Sequence, residues 1–365
     1  GGDRGCSEPA NRPARPALPY SKGAMVDLTT DDAFFEIDGY VASAAVGAAM
    51  EHGLFWLLSD TALQVPDLAD RLGIAEDRCR AWLELLVGTG YLDLTPSGYR
   101  TSASARAAVV DACSRETWAF LAREARERFP AVRDLAVDLP GELTPWERQG
   151  IDPPDYLATL RGDPERAREF TRMLYEIHLP LAGTLAEALG GEPAARVLDV
   201  GGGSGVMTFA LLDRFPGATS VVLDLANVCA AGREIAAEVG MAERVEYREG
   251  DFLTDPLPTG FDLILYCDVG PYEEGLFSRF GQALAPRGRI VVVGKFGTEP
   301  GRPHPSRAHW ALLGSLTGSS APQPAAAEVA AMLTAAGYVE ITIAELPPAG
   351  SRWDSGWTLL GGRRL

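Results

Sequence analysis

The amino-acid sequence predicts an α/β protein, in which a mostly parallel β-sheet with helices on both faces follows a smaller helical domain. The apolar, β-branched run 197–200 predicts a buried strand, the glycines at 201–205 predict a tight turn, and residues 207–215 are apolar on a helical period. Strand and helix patterns then alternate up to residue 293. Two later strand patterns, 341–345 and 357–360, are typical of an antiparallel pair that ends such a sheet.

Composition and charge restrict the classes of function. The 365 residues suffice for two domains with separate cores. The formal net charge of −17 argues against nucleic acid and anionic membranes as partners, because both attract basic surfaces. The sequence contains no apolar run long enough to span a membrane and no secretory signal pattern, so a cytoplasmic location is expected. The five cysteines lack paired spacing, which indicates free thiols: Cys6, Cys79, Cys113, Cys229 and Cys267.

Three segments precede the strand–turn–helix unit. Residues 1–30, rich in Gly, Pro and Arg, are expected to be a flexible leader. Residues 31–110 are expected to form a winged-helix domain, because three helical patterns precede a hairpin pattern around 96–98. Residues 111–190 are expected to be helical, with a loop around 145–147. The helical patterns of the first two hundred residues lie at 40–58, 65–72, 77–92, 116–128 and 164–189.

Winged helices often bind DNA, but the third helix of this unit argues against that function. Its surface mixes Glu76, Asp77 and Glu84 with Arg78 and Arg80, which is not a face that binds phosphates.

The glycine turn is suited to holding a nucleotide, because only glycine lets the backbone approach a ligand so closely. The pattern alone fits dinucleotide enzymes and S-adenosylmethionine (SAM) enzymes equally well. Three acidic positions narrow the choice. Asp199 ends the strand, where it can hold the ammonium of an amino acid, and Asp224 ends the next strand pattern, where it suits ribose hydroxyls. Asp251, with Phe252 beside it, suits an adenine ring.

These motifs resemble those of class I SAM-dependent methyltransferases. LDVGGGSG, LDL and GDF follow one another within 196–293, and from about residue 33 onward the chain is similar to the hydroxyindole and caffeate O-methyltransferase family, many of whose bacterial members modify natural products. The resemblance implies a Rossmann-like SAM-binding domain over 191–365. It also implies a helical linker and pocket wall over 111–190, a homodimer formed through 31–110, and a small-molecule acceptor. The cofactor-binding residues would be Asp199, Gly201, Gly203, Asp224, Leu225, Asp251, Phe252 and Tyr266.

The resemblance also indicates a substrate pocket. Phe170-Thr171-Arg172-Met173 matches the family's Phe-x-x-Met pattern, which places Met173 near the reacting methyl group. Trp118 and His178 on the predicted helices, and His309 after the fifth strand of the sheet, are further candidates for the pocket wall. For each of them, packing in the core is the alternative.

The sequence departs from the family at the catalytic base. The family supplies a histidine after the fourth strand, in a Leu-His-Asp-Trp stretch, whereas residues 265–274 are LYCDVGPYEE, without histidine, in a shortened loop. Asp268 and Tyr272 are the nearest groups that could accept a proton. An exposed Asp is a weak base for a phenol unless burial raises its pKa.

Three explanations for the missing histidine are open. An acceptor with a low-pKa hydroxyl, a carboxylate or an amine needs only positioning. A C-methyltransferase could instead act on an enolisable keto acid with a metal, but the i, i+5 spacing of His304 and His309 is unlike a helical metal pair, so no metal is expected. The third explanation is a SAM-binding fold that catalyses another reaction. Arg302, Arg307 and Lys295 could pair with a substrate carboxylate, with solvent exposure or structural ion pairs as alternatives.

Overall fold

The computed structural model describes residues 29–299, 301, 304–318, 324–348 and 356–365. The predicted leader 1–30, apart from its last two positions, lies outside the described residues, as do Cys6 and Arg302. The chain divides into two compact units, 1–38 and 39–365, and the described part of the first is the beginning of helix α1 (Thr30–Glu51). No helix in the described ranges is long and apolar enough to cross a membrane.

Short helices and a hairpin follow α1. Gly53, with a φ of 70°, separates α1 from the next helix, so the predicted helix 40–58 is two helices. The helix predicted at 77–92 ends at Gly88, because Leu92 begins the hairpin, whose two strands are antiparallel. Leu54, Phe55 and Leu83 belong to the core of this region. The elements are α2 (Leu54–Leu57), α3 (Val65–Leu72), α4 (Glu76–Gly88), β1 (Leu92–Thr95) and β2 (Gly98–Thr101).

Helices occupy most of residues 103–188. The predicted loop around 145–147 is a short helix, because Thr144 and Glu147 form a capping box in which each side chain accepts the other's backbone N–H. The longest helix of this region, 164–188, packs against the helices at 115–128 and 156–162 and against two helices of the sheet domain. The elements are α5 (Ala103–Ala105), a π-helical turn (Arg106–Val110), α6 (Arg115–Arg128), α7 (Pro130–Arg133), α8 (Leu135–Asp138), α9 (Pro145–Gln149), α10 (Tyr156–Gly162) and α11 (Pro164–Ala188).

A seven-stranded sheet forms the centre of the C-terminal domain, in the order β5-β4-β3-β6-β7-β9-β8. The five strands from β3 to β7 are parallel, and β9 is antiparallel to both of its neighbours, β7 and β8. The expected mostly parallel sheet is confirmed, and its final antiparallel pair places β9 inside and β8 at the edge. The strands are β3 (Arg196–Val200), β4 (Thr219–Asp224), β5 (Val245–Glu249), β6 (Phe261–Cys267), β7 (Leu284–Gly294), β8 (Tyr338–Glu345) and β9 (Thr358–Arg364).

Helices cover both faces of this sheet. Alternate strand residues point to opposite faces, so Leu198 and Ile264 lie in one apolar core, while Val197 and Leu263 lie in the other. The carboxyl ends of the parallel strands meet at one edge, which is where ligands bind in open α/β sheets. The helices of the domain are α12 (Val206–Arg214), α13 (Ala226–Glu238), α14 (Glu274–Ala283), α15 (Ala308–Thr317), preceded by a 3₁₀ turn (Pro305–Arg307), and α16 (Ala326–Ala335).

Candidate active site

The glycine turn between β3 and α12 is open at one of its glycines and packed at the others. Gly201, Gly203 and Gly205 have φ angles of 63°, 57° and 84°, a conformation that residues with side chains rarely adopt. A Cβ on Gly201 would lie 2.8 Å from a methyl carbon of Val269, whereas nothing lies within 4 Å of a Cβ on Gly203. The turn is therefore packed at its first glycine and open at Gly203, where a ligand can approach the main chain.

Asp199 lies against this turn with one carboxylate oxygen unused. A Cβ on Gly202 would overlap its carboxylate, and the residue is 1% exposed. Oδ2 accepts a hydrogen bond of 2.8 Å from the Thr208 hydroxyl, while Oδ1 has no hydrogen-bond partner among the described residues. Burial raises the pKa of Asp199 to about 7; the Thr208 hydroxyl opposes this shift and nearby Asp224 adds to it. A buried carboxylate oxygen without a donor is expected to have a partner in the working protein, and a cationic ligand would supply one to Asp199.

Asp224, at the end of β4, joins that strand to the glycine turn. Its Oδ2 accepts the backbone N–H of Gly203 at 2.9 Å, and its Oδ1 accepts the N–H of Leu225 at 2.7 Å. Burial raises the pKa of Asp224, and both N–H donors oppose that shift. Each oxygen keeps a further lone pair, so the carboxylate can accept two hydroxyl donors while it holds the turn in place.

A surface pocket adjoins the carboxyl ends of β4 and β5. Within it, Asp251 accepts the N–H of Leu253 on Oδ1 at 2.9 Å and a guanidinium hydrogen bond from Arg161 on Oδ2 at 3.0 Å. Phe252 is half-buried, and its ring lies edge-on to that of Tyr266 with centroids 5.9 Å apart. The apolar side chains of Leu225 and Ala226, together with the Asp251 carboxylate, suit a flat heterocycle that carries an amino group. The pocket is lined by Arg161, Leu225, Ala226, Asn227, Glu249, Gly250 and Asp251.

The structure places the side chain of Tyr266 in the core. The residue is 0% exposed, and its hydroxyl donates to the carbonyl oxygen of Pro271 at 2.8 Å. The ring packs against those of Tyr272 and Phe280. Tyr266 therefore supports the turn after β6, and the cofactor contact predicted for this residue stays a prediction.

The two residues predicted to replace the catalytic histidine lie on that turn. Asp268 has a φ of 54° and forms an ion pair with Arg307, with both side chains about a quarter exposed. Tyr272 packs edge-on against Phe296, with ring centroids 5.2 Å apart. Burial raises the pKa of Tyr272, Asp268 raises it further and Arg307 opposes this. The Tyr272 hydroxyl is therefore protonated near neutral pH.

Cationic side chains surround Trp357, the residue before β9. Nζ of Lys295 lies 4.7 Å from its ring centroid, and the guanidinium carbon of Arg307 lies 5.9 Å away. His178, on α11, lies edge-on to the same ring at 6.0 Å. Lys295 and Trp357 are both buried. The structure thus brings His178, predicted for the pocket wall, to the same ring as Lys295 and Arg307, which were predicted together as partners of a substrate carboxylate.

The other predicted pocket residues are not brought together in this way. Met173 is buried on α11. Trp118 packs on the N-terminal core and donates from Nε1 to the carbonyl oxygen of Val109 at 2.9 Å. His309 is exposed on α15, and its ring lies 5.1 Å from that of Trp310. Core packing accounts for the position of Trp118.

Three residues of the site were not predicted. Thr208 is a polar residue at an inward position of α12, and this break in the apolar pattern was a signal that could have been used. The hydroxyl of Tyr247 donates to the carbonyl oxygen of Ser204 at 2.6 Å, which ties β5 to the glycine turn. Arg161 is 90 residues from Asp251 in the chain, and nothing local in the sequence marks their pairing.

The chain is similar to known methyltransferases. The O-methyltransferase domain family matches residues 145–339. The chain is 28% identical over 293 residues to the N,N-dimethyltransferase OxyT of Streptomyces rimosus, covering 78% of this chain and 81% of that protein. It is 30% identical over 222 residues to the 3-hydroxy-5-methyl-1-naphthoate 3-O-methyltransferase of Streptomyces sahachiroi, covering 60% of this chain and 62% of that one. The solved structure "PigF with SAH" has a TM-score of 0.76 at 22% identity, covering 92% of this chain and 100% of that chain.

The fold and the glycine turn thus define an α/β methyltransferase with S-adenosyl-L-methionine as its cofactor. The chain belongs to the O-methyltransferase domain family, whose match covers more than half of its length.

Proposed function

We propose that this SAM-dependent enzyme methylates a small natural-product acceptor whose reacting oxygen is acidic enough to be ionised near neutral pH. The family supports oxygen as the acceptor atom. Among the relatives, one is named for a hydroxynaphthoate and another for an N,N-dimethyl transfer, so the acceptor varies within this group.

The cofactor, when bound, supplies an electrophilic methyl group on a sulfonium. We assign the ammonium of its methionine part to Asp199, because the buried Oδ1 of that residue lacks a donor among the described residues. We assign the ribose hydroxyls to Asp224, which holds the open glycine turn at Gly203. The adenine ring is assigned to the pocket of Leu225 and Asp251, and Phe252 follows Asp251 directly in the chain.

The observation that carries the acceptor proposal is the state of the two groups nearest the missing histidine. Asp268 is engaged in an ion pair with Arg307, and the hydroxyl of Tyr272 is held protonated by burial. Neither group is poised to remove a proton from an ordinary phenol. We infer that the acceptor arrives ionised and that the protein accelerates transfer by holding the two reactants in line.

The test measures turnover of substituted phenols whose pKa values span the neutral range, followed as S-adenosylhomocysteine (SAH) formed. We expect kcat/KM at pH 7 to follow the ionised fraction of each phenol. For each phenol, kcat/KM should rise with pH up to the phenol's own pKa. Rates that are independent of phenol acidity, or a shared ascending limb set by the enzyme, would indicate a protein base and contradict the proposal.

We also propose that residues 31–110 form a winged-helix dimerisation domain, and that residues 111–190 link it to the SAM-binding domain 191–365. Helices α3 and α4 followed by the β1–β2 hairpin have the order of elements of such a domain. Exposed apolar side chains favour a second copy of the chain as the covering partner. On α1 these are Phe34, Phe35, Ile37, Tyr40 and Val41.

No observation on the described residues specifically favours C-methylation of a keto acid. That chemistry was linked to a metal near His304 and His309. Among the described residues, no group of three or more His, Cys, Asp and Glu side chains is arranged to hold a metal ion. Nδ1 of His304 lies 2.8 Å from the hydroxyl oxygen of Ser306. We therefore do not advance it as a second function.

A further inference from the structure

One charged side chain of the adenine pocket comes from a distant part of the chain. Arg161, the penultimate residue of α10, lines the pocket, and its Nη2 donates to Oδ2 of Asp251 at 3.0 Å. We propose that Arg161 is a positioning residue that fixes the Asp251 carboxylate toward the exocyclic amino group of adenine, and so makes the site select adenine over 6-oxopurine cofactors. This inference rests on the proposed assignment of Asp251 to the adenine ring.

The hydrogen bonds of Asp251 fix the orientation in which its carboxylate can receive a base. Oδ1 is occupied by the N–H of Leu253 and Oδ2 by Arg161, and each carboxylate oxygen has room for one further donor. The side chain of Asp251 is 30% exposed, so without the guanidinium it could rotate toward solvent. With both oxygens anchored, the free lone pairs keep a fixed direction relative to the pocket.

The backbone around Arg161 is itself held in place. Nδ2 of Asn227, near the start of α13, donates to the carbonyl oxygens of Leu160 and Arg161 at 2.9 and 3.0 Å. Leu160 is buried and packs with Ala167 and Val228. The end of α10 is therefore fixed on α13, and the guanidinium extends from a rigid base.

Adenine and hypoxanthine differ where Asp251 would act. The amino group of adenine donates hydrogen bonds, whereas the 6-oxo group of hypoxanthine accepts them and is repelled by a carboxylate. A fixed carboxylate therefore discriminates between the two bases, and a mobile one discriminates less.

The experiment measures, by isothermal titration calorimetry, the Kd values of SAH and of its hypoxanthine analogue, S-inosylhomocysteine. Arg161→Ala should weaken SAH binding about three- to fivefold, the upper range for an exposed ion pair, and should lower the preference for SAH over the analogue. Arg161→Lys should recover part of that preference. Asp251→Asn should weaken SAH binding about tenfold or more and abolish the preference.

The matched control is Arg168→Ala. The side chain of Arg168, in its ion pair with Glu234, is 53% exposed, against 52% for Arg161, and its removal should leave both Kd values unchanged.

Coupling separates positioning from a structural role. If Arg161 acts through Asp251, then Arg161→Ala should have no further effect in the Asp251→Asn background. The inference is overturned if Arg161→Ala leaves both Kd values unchanged, or if it weakens both ligands equally and adds to Asp251→Asn. If instead Asp251→Asn leaves SAH binding and base preference unchanged, the assignment of adenine to Asp251 itself fails, and the inference fails with it.

Discussion

At the scale of single residues, the carboxyl group of Asp199 has a pKa raised by burial from 3.8 to about 7. Between these two values the folded chain holds a proton that the unfolded chain has released. The contribution of Asp199 to the free energy of unfolding therefore falls as pH rises from about 4 to 7, by about 1.4 kcal/mol for each pH unit. A cationic ligand on Oδ1 would reverse this loss, which makes cofactor binding favour the ionised form.

Asp199→Asn should accordingly flatten the pH dependence of stability. We expect the wild-type protein without ligand to lose thermal stability between pH 5 and 8 more than this variant does. The variant should also lose most of the stabilisation that SAH gives at pH 8, because the neutral amide cannot form an ion pair with an ammonium. Differential scanning fluorimetry with and without SAH measures both effects. Asp213→Asn, at an exposed position on α12, is the control and should match the wild type. An Asp199→Asn protein that binds SAH normally would remove Asp199 from the cofactor site.

Tyr272→Phe tests whether the phenol takes part in proton transfer. The ring packing against Phe296 is kept, and a hydroxyl that is protonated near neutral pH cannot serve as a base. We expect kcat for an acidic phenol to change less than about threefold, with an unchanged pH profile. A loss of a hundredfold or more, with one limb of the pH profile removed, would assign Tyr272 a catalytic role.

At the scale of elements, the glycine turn is supported from β5. The Tyr247 hydroxyl donates to the carbonyl oxygen of Ser204, and its ring lies where a side chain on Gly232 would be. Gly232 therefore permits the ring of Tyr247 to pass α13 and reach the turn. The same turn is held from β4 by the carboxylate of Asp224. Two neighbouring strands thus set the shape of the loop that faces the cofactor.

Tyr247→Phe should destabilise the fold and weaken cofactor binding together. The substitution leaves a buried carbonyl at Ser204 without its donor, which costs about 1–3 kcal/mol of unfolding free energy. SAH affinity should fall about threefold or more, because the turn loses one of its two supports. Tyr338→Phe is the matched control: its buried hydroxyl donates to Phe277, so stability should fall while SAH affinity stays unchanged. Chemical denaturation and calorimetry measure the two quantities, and equal SAH affinities in both variants would contradict the role of Tyr247.

The sequence predicts local features of this protein better than long-range contacts. The strand and turn at 197–205 follow from residues next to each other, and the structure confirms them. The helix break at Gly53 and the capped helix after Thr144 were missed, although glycine and a capping box are local signals. The pairing of Arg161 with Asp251 depends on how α10 packs on α13, which no local pattern encodes. The ion pair of Asp268 with Arg307 was missed for the same reason.

At the scale of the whole molecule, the exposed apolar residues of α1 lead to a prediction about assembly. Light scattering after size-exclusion chromatography should give twice the mass of one chain. The double substitution Phe35→Glu and Ile37→Glu should lower this to one chain, because two charges would be buried in the interface; Phe35 and Ile37 are 78% and 73% exposed. Glu36→Lys, which changes a charge on the same exposed turn, is the control and should remain dimeric. A wild-type monomer would contradict the proposed dimerisation domain.

The position of β9 has a consequence for the order in which the molecule is made. Residues 358–364 pair with β7 on one side and β8 on the other, so β9, which follows both of these strands in the chain, lies second from the edge of the sheet. While the ribosome still holds these residues, the edge of β7 remains uncovered, and β8 has no neighbour to join. Such an open apolar edge is a template for pairing with other chains. We therefore expect nascent chains stalled before residue 358 to depend on chaperones, and an insertion directly after residue 364 to interfere with folding more than the same insertion in an exposed loop.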